Sequence, residues 1–429
     1  MGKPIFFLLL FTALYSQSYG QKLTPEEKRI VDNVEKGMPQ TLQLLEELVN
    51  INSGTLNVEG VKKVGDVLGK QFENIGFETT WISLPDSLKR AGHLVAFKKG
   101  NKGKKLFLIG HLDTVFEPDM PANPYTKLND STATGQGVSD MKGGDLVILG
   151  ALKALESAGL LKDVSITAYF TGDEEKTGVP TYVSRADFVE RAKQCDVALA
   201  FEGAQGLNTV ATARRGASGW KLKVSGKQAH SGGIFSNGYG AIYEAARIVN
   251  TFREELSKEQ YLTFNPGIFI GGSEVLYDSA NIRADVSGKT NIISPSAIVQ
   301  GDLRFLTDKQ KEAARAKMRT IATTNNLAGT SAEIAFTDNI PGMEPTKGND
   351  RLREVLSKVN IDLGFGLVKA GDPGSRGAGD ISYIAKYIDC LDGLGVSGKG
   401  AHAPGETIDL IQFPKLIQRA ALFIYRLTK

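Results

Sequence analysis

Cysteine is nearly absent: Cys195 and Cys390 are the only two in 429 residues. Two thiols so far apart cannot form a metal-binding pair, and their spacing does not decide whether they are bridged. Both open apolar, strand-like runs, where buried free thiols are common. Basic runs are also missing, and a net charge of +3 is small for this length. That argues against nucleic acid or an anionic membrane surface as the main partner. There is no low-complexity tract and no repeat at a period of about 20 to 50 residues. Beyond the N-terminus no apolar stretch is long enough to span a bilayer.

What is present suits two domains with substantial cores, since 41% of the residues are hydrophobic. The N-terminus stands apart. Lys3 precedes the apolar run Ile5-Phe6-Phe7-Leu8-Leu9-Leu10-Phe11, and a polar stretch ends at Ser18-Tyr19-Gly20. A basic start, a short apolar run and small residues at its end read as a secretory signal peptide over residues 1–20. Export to the periplasm or the extracellular space, with cleavage near Gly20, is the expectation, and such a compartment permits a disulfide.

Thr24-Pro25-Glu26-Glu27 then supplies an N-cap, a proline at the first helical position and a capping-box glutamate. Ile30, Val34 and Met38 follow at helical spacing, and Pro39 is expected to restart a second helix carrying Leu42, Leu45 and Leu48. Val61, Val64, Leu68 and Phe72 mark another helix. From there strands (Leu106 to Ile109, Val164 to Phe170, Val197 to Phe201) alternate with an apolar helix from Leu146 to Leu155. The fold class implied is α/β, a mainly parallel sheet flanked by helices, with ligands beyond the carboxyl ends of its strands. His93 falls within a strand and reads as structural.

After Thr212 the rhythm changes. Trp220, Leu222 and Val224 alternate with polar residues, and a helix (Ala241 to Leu256), strands around Phe269 and Ile298, a helix (Lys309 to Thr324) and a strand (Ala332 to Phe336) follow. This split β-α-β pattern predicts a separate α+β, ferredoxin-like domain over residues 213–340, inserted into a catalytic domain of residues 21–212 and 341–429.

Five short segments carry the chemistry. His111 and Asp113 sit two apart after a buried strand, so both side chains share a face, and a metal-bound histidine usually donates its other ring nitrogen to a carboxylate. Asp140 precedes a helix in Gly137-Val138-Ser139-Asp140-Met141-Lys142-Gly143-Gly144, where it could be only a cap. Asp173, Glu174 and Glu175 crowd a strand's carboxyl end, an arrangement that is costly without a nearby cation. Glu202 ends the next strand, and His402 lies in Gly400-Ala401-His402-Ala403-Pro404-Gly405-Glu406. Each segment alone is ambiguous. Together, two histidines, a shared aspartate and two glutamates suffice for two divalent ions about 3.5–4 Å apart, with a further glutamate as proton shuttle.

In order, spacing and inserted domain, these segments resemble the co-catalytic metallopeptidase family of glutamate carboxypeptidase, succinyl-diaminopimelate desuccinylase, aminoacylase and peptidase T, over nearly the whole mature chain. The resemblance is nearest to glutamate carboxypeptidase. It implies that His111, Asp140 and Glu202 hold one metal, and that Asp140 bridges to a second held by Glu175 and His402. Glu174 would be the general acid/base and Asp113 would orient His111. It further implies that His230, in Gln228-Ala229-His230-Ser231-Gly232, stabilises the oxyanion, often across a dimer interface, which makes a homodimer through the inserted domain an expectation. Asn291 and Arg304 match a substrate-contacting pair, and an arginine can grip a terminal carboxylate bidentately. Arg304 reads equally as a partner in a sheet-edge salt bridge. The ligand set suits zinc, with cobalt or manganese as alternatives. A glutamate at position 202 favours the carboxypeptidase and acylase branches over an aminopeptidase. The substrate expected is a small peptide or an N-acyl amino acid. One departure stands out: where relatives often carry Gly-Gly-x-Ser-Asp, this chain has Gly371-Asp372-Pro373-Gly374-Ser375-Arg376-Gly377-Ala378-Gly379-Asp380, placing Arg376 in a loop that normally lines the substrate pocket.

Overall fold

The computed structural model describes residues 23–279 and 281–429, so the signal-peptide expectation lies outside the described residues. A six-stranded sheet runs in the order Glu78–Ile82, His93–Lys98, Val164–Thr171, Lys102–His111, Val197–Ala200, Asp389–Leu391. The first two pairings are antiparallel and the remaining three parallel. The apolar run at Leu106 to Ile109 explains why Lys102–His111 lies inside. Leu106 and Leu108 face one core, which includes Leu146, Leu149 and Ile417. Phe107 and Ile109 face the other, with Tyr169 and Phe188. A strand buried on both faces needs no polar alternation.

On the first face three helices pack together: Pro25–Val49, Lys142–Ser157 and Phe413–Thr428. The first of them corrects one expectation. Pro39 does not restart a helix but sits inside a continuous one. A proline deletes one backbone donor and opposes the helix locally, yet Leu44, Leu45, Leu48 and Val49 stay in the same buried core as Ile30 and Val34. Burial of one apolar stripe through both halves outweighs the local break.

Trp220, Leu222 and Val224 do alternate inward, on the strand Gly216–Gly226 of a second sheet. That sheet is wholly antiparallel, in the order Thr263–Gly272, Ser296–Phe305, Gly216–Gly226, Thr330–Ile340, and the helices Gly240–Leu256 and Asp308–Thr323 share its core. A hairpin, Glu274–Asp278 with Arg283–Ser287, was not legible in advance; its burial is slight, so no apolar alternation announces it. Cys195 and Cys390 are both free thiols.

The helices Pro25–Val49 and Phe413–Thr428 are clasped by charge. Thr24 and Glu27 form the capping box, and Arg426 donates from Nε to Glu27 at 2.8 Å while its Nη1 lies 2.7 Å from Asp362. Burial opposes ionisation of Glu27, but the Arg426 guanidinium and the Thr24 N–H hold its carboxyl below the ordinary value. A depressed pKa contributes stability above the unfolded value, and that contribution is lost as pH falls through the folded one. Glu27→Gln should therefore lower thermal stability at pH 7 by about 2 kcal/mol. The gap from wild type should close below about pH 4; calorimetric melting across that range is the check.

Candidate metal centre

The three central parallel strands bring the chemistry to one edge. His111 is the last residue of its strand and lies opposite Thr171, while Ile109 lies opposite Ala200. Parallel register thus delivers His111, the segment Gly172 to Glu175 and Glu202 side by side. Asp140 enters from the loop before the helix at Lys142, across a cis peptide bond to Met141. His402 enters from the loop between Gly398–Lys399 and Thr407–Asp409.

Asp140 stands between the two histidines. Its Oδ1 is 3.3 Å from His111 Nε2, and its Oδ2 is 3.1 Å from His402 Nε2. Glu202 lies 3.7 Å from the same His111 nitrogen, and Glu175 lies 3.2 Å from the same His402 nitrogen. Two three-residue sets therefore share one carboxylate. His111, Asp140 and Glu175 alone also place ligand atoms within 4.8 Å of one another, close enough for a single ion. His402 is held at φ +66°, a left-handed conformation that a non-glycine residue adopts at a cost.

The electrostatics indicate a place short of positive charge. Hydrogen bonds donated to Asp140 and Glu175 push the His402 imidazole up to about 11. Burial would lower His111, but Asp113 and Asp140 outweigh it and raise it well above the usual range. Burial, aided by Asp140, lifts Glu202 to about 7. Glu174 is raised well above the usual carboxyl range by burial and then by Glu202. Glu175 Oε1 is buried with no hydrogen-bond partner. Histidine and carboxylate atoms so arranged fit a divalent cation, which would supply the missing charge.

Other expected residues sit as follows. His111 Nδ1 contacts the Asp113 backbone carbonyl at 3.0 Å and its carboxylate at 3.5 Å. That carboxylate accepts from Thr55 Oγ1 and from the N–H groups of Glu174 and Glu175, so it also fixes the acidic segment. Asp173 does not face the cluster: buried Arg185 pairs with it and with Asp380, which accepts from Thr171. His93 is buried, with Nε2 3.0 Å from the Ser184 carbonyl, and Gly172 N–H donates to its Nδ1. His230 and Asn291 lie together, through the His230–Ile292 bridge and a bond from Ser231 N–H to the Asn291 carbonyl. Arg304 pairs with Asp302 at 2.7 Å, on an interior strand and not at a sheet edge. Among the described residues, no hydrogen bond or ion pair joins His230, Asn291 or Arg304 to the histidine–carboxylate cluster.

Glu406, four residues after His402, has a part that its motif does not announce. Its buried carboxylate accepts from the N–H groups of Gly137, Ser139 and Asp140 and from the Ser139 hydroxyl. It thereby fixes the backbone that presents Asp140 from the same loop that presents His402. Lys142 and Asp145 lie buried beneath. Lys142 donates to the Ile51 carbonyl and burial lowers it to about 7; burial raises Asp145 well above the usual carboxyl range. No spacing rule would have singled out these three, since their contacts are to backbone or to nothing nearby in sequence.

Residues 107–426 match the model of peptidase family M20/M25/M40. Carboxypeptidase G2 of Pseudomonas sp. is 29% identical, over 90% of this chain and 89% of that protein. Succinyl-diaminopimelate desuccinylase of Cupriavidus necator is 26% identical, over 87% of this chain and 95% of its own. In fold, the crystal structure of aminopeptidase PepT from Bacillus cereus superposes with a TM-score of 0.73 at 21% identity, covering 94% of this chain and 99% of that one.

Supporting residues around a metal typically change affinity by about 10–100-fold when removed. Glu406→Ala should loosen bound zinc by that factor while the protein stays folded, as measured by competition with a calibrated chelator.

Proposed function

The chain is a member of peptidase family M20/M25/M40 and a metal-dependent hydrolase, and from that premise we propose that it is an exported two-metal exopeptidase that releases a C-terminal amino acid from small peptides. The observation that carries the two-metal reading is Asp140, with one oxygen toward His111 and the other toward His402. His111, Asp140 and Glu202 would hold one ion, and Asp140, Glu175 and His402 the other, with zinc favoured over cobalt or manganese by the donor set. Ions held there would supply a water of lowered pKa and polarisation of the scissile carbonyl.

The chain's own residues do the rest. Glu174 accepts the proton of the attacking water and hands it to the leaving amine. Burial first and then Glu202 raise its carboxyl above the ordinary range, which helps it hold the proton between the two transfers. Asp113 holds the His111 ring and the backbone of Glu174 and Glu175 in register. His230 donates to the oxyanion as the carbonyl is attacked. Asn291 positions the substrate, and Arg304 exchanges Asp302 for the terminal carboxylate. His230 and Asn291 lie apart from the cluster, so they act from the second sheet, in this subunit or in a partner. An exposed ring cluster on that sheet's helix side, Phe235 with Tyr239 and Tyr243, together with Ile242, supports pairing of two copies there. Size-exclusion chromatography with light scattering should give a dimer that Phe235→Ser with Tyr243→Ser splits into monomers; a monomeric wild type would discard this pairing.

A second reading, an acylase or desuccinylase, uses the same residues and is favoured by the similarity to desuccinylases. N-blocked dipeptides set against N-acetyl and N-succinyl amino acids separate the two. For either, Glu174→Ala should reduce kcat by about 1,000-fold or more, with metal content by mass spectrometry unchanged. Substantial residual turnover would remove Glu174 from its role.

A further inference from the structure

Arg376, the residue that departs from the family pattern, reaches the chain just beyond the candidate ligand Glu202. Its Nη2 donates to the carbonyl of Gly203 at 2.5 Å, the residue directly after Glu202. Gly203, the residue Arg376 touches, and Asp140 both line a cavity of about 190 Å³, with Arg376 itself outside that lining. The rest of the guanidinium is uncommitted. Arg376 is only partly exposed, and among the described residues no carboxylate lies within ion-pair distance of it. A half-buried guanidinium without a counter-ion is unfavourable unless something supplies the charge.

The surroundings leave room for this arginine and hold the loop that carries it. Gly393, at φ +77°, leaves room for Nη1, because a β-carbon there would come within 2.7 Å of it. The loop on either side is fixed by two other arginines that are already committed. Arg214 pairs with Asp392 and donates to the carbonyls of Gly377 and Ala378. Arg215 donates to the Gly374 carbonyl and to Thr263. Arg304, the cation expected to take a carboxylate, already pairs with Asp302. Among the described residues Arg376 combines a single side-chain hydrogen bond with no ion pair, whereas Arg304 has its one bond to a carboxylate and Arg214 and Arg215 make several.

We propose that Arg376 is a specificity-determining residue that receives a carboxylate of the substrate beside Gly203. This rests on the hydrolase reading above for its reaction, but not for its binding. The carboxylate has two sources, an acidic side chain or the terminal carboxyl, the latter replacing Arg304 in the role given to it above, and the same experiment separates them.

The zinc-loaded wild type and Arg376→Met are compared on N-blocked dipeptides ending in glutamate, in leucine and in leucine amide. Binding of free L-glutamate and L-leucine is followed by calorimetry at low and high salt. Arg376→Met should lower kcat/KM about 30-fold or more, mainly through KM. It should also abolish the salt dependence of binding. A loss confined to glutamate assigns the acidic side chain. An equal loss on both free acids, with the amide unaffected, assigns the terminal carboxyl. Arg376→Lys, which restores the charge, should recover part of the loss, whereas a purely structural role would leave it as poor as the methionine variant. Changes under threefold on every ligand, or an equal loss on the amide, would overturn the proposal. If the wild type cleaves nothing yet binds glutamate through Arg376, the hydrolase reading fails and this one stands. If it neither cleaves nor binds, both fail.

Discussion

Too many carboxylates in too small a volume is the constraint on which the site depends. Parallel strands ending at one edge place Asp113, Asp173, Glu174, Glu175 and Glu202 there, and the loops add Asp140, Asp380, Asp392 and Glu406. The protein deals with them in two ways. Asp173 and Asp380 share Arg185, and Asp392 has Arg214. Asp113 and Glu406 are satisfied by N–H and hydroxyl donors. That leaves Asp140, Glu174, Glu175 and Glu202 facing one another with only two imidazoles between them. Like charges in a medium of low dielectric do not stay ionised together without a cation. The site is therefore defined as much by which carboxylates are neutralised elsewhere as by which remain.

The same division explains what the sequence could and could not reveal. Strand ends carrying His111, Glu174, Glu175 and Glu202 were legible because an apolar run followed by a charged residue marks both the strand and its polar exit. The alternation at Trp220, Leu222 and Val224 revealed the second sheet for the same reason. That Asp173, one of the three carboxylates at its strand end, is neutralised by Arg185 was not legible, because eleven residues of loop and helix without a motif separate the two. Pro39 was read by its local rule, which tertiary burial overrode. The hairpin after Glu274 was missed because strands with little buried surface leave no periodic trace. The inserted loop at Arg376 was visible as a departure, but that its guanidinium lacks a counter-ion could be seen only in three dimensions.

Arg214 shows how the two sheets are joined at the site itself. The chain leaves the first sheet and returns to it along two segments that meet at Arg214 and Met343, whose N–H groups and carbonyls bond reciprocally at 2.9 and 3.0 Å. From that crossing the Arg214 side chain reaches Asp392 and the Gly377 and Ala378 carbonyls, and its charge acts on Glu202. Gly379 has to be a glycine here, since a β-carbon would come within 2.4 Å of the guanidinium. One residue thus ties the junction, the loop bearing Arg376 and a candidate metal ligand. A rotation of the second sheet about that crossing would pull on the loop and alter the field at Glu202 together. Substrate contacts made by His230, Asn291 or Arg304 from the second sheet would then be felt at the cluster through Arg214, with no need for a longer chain of contacts.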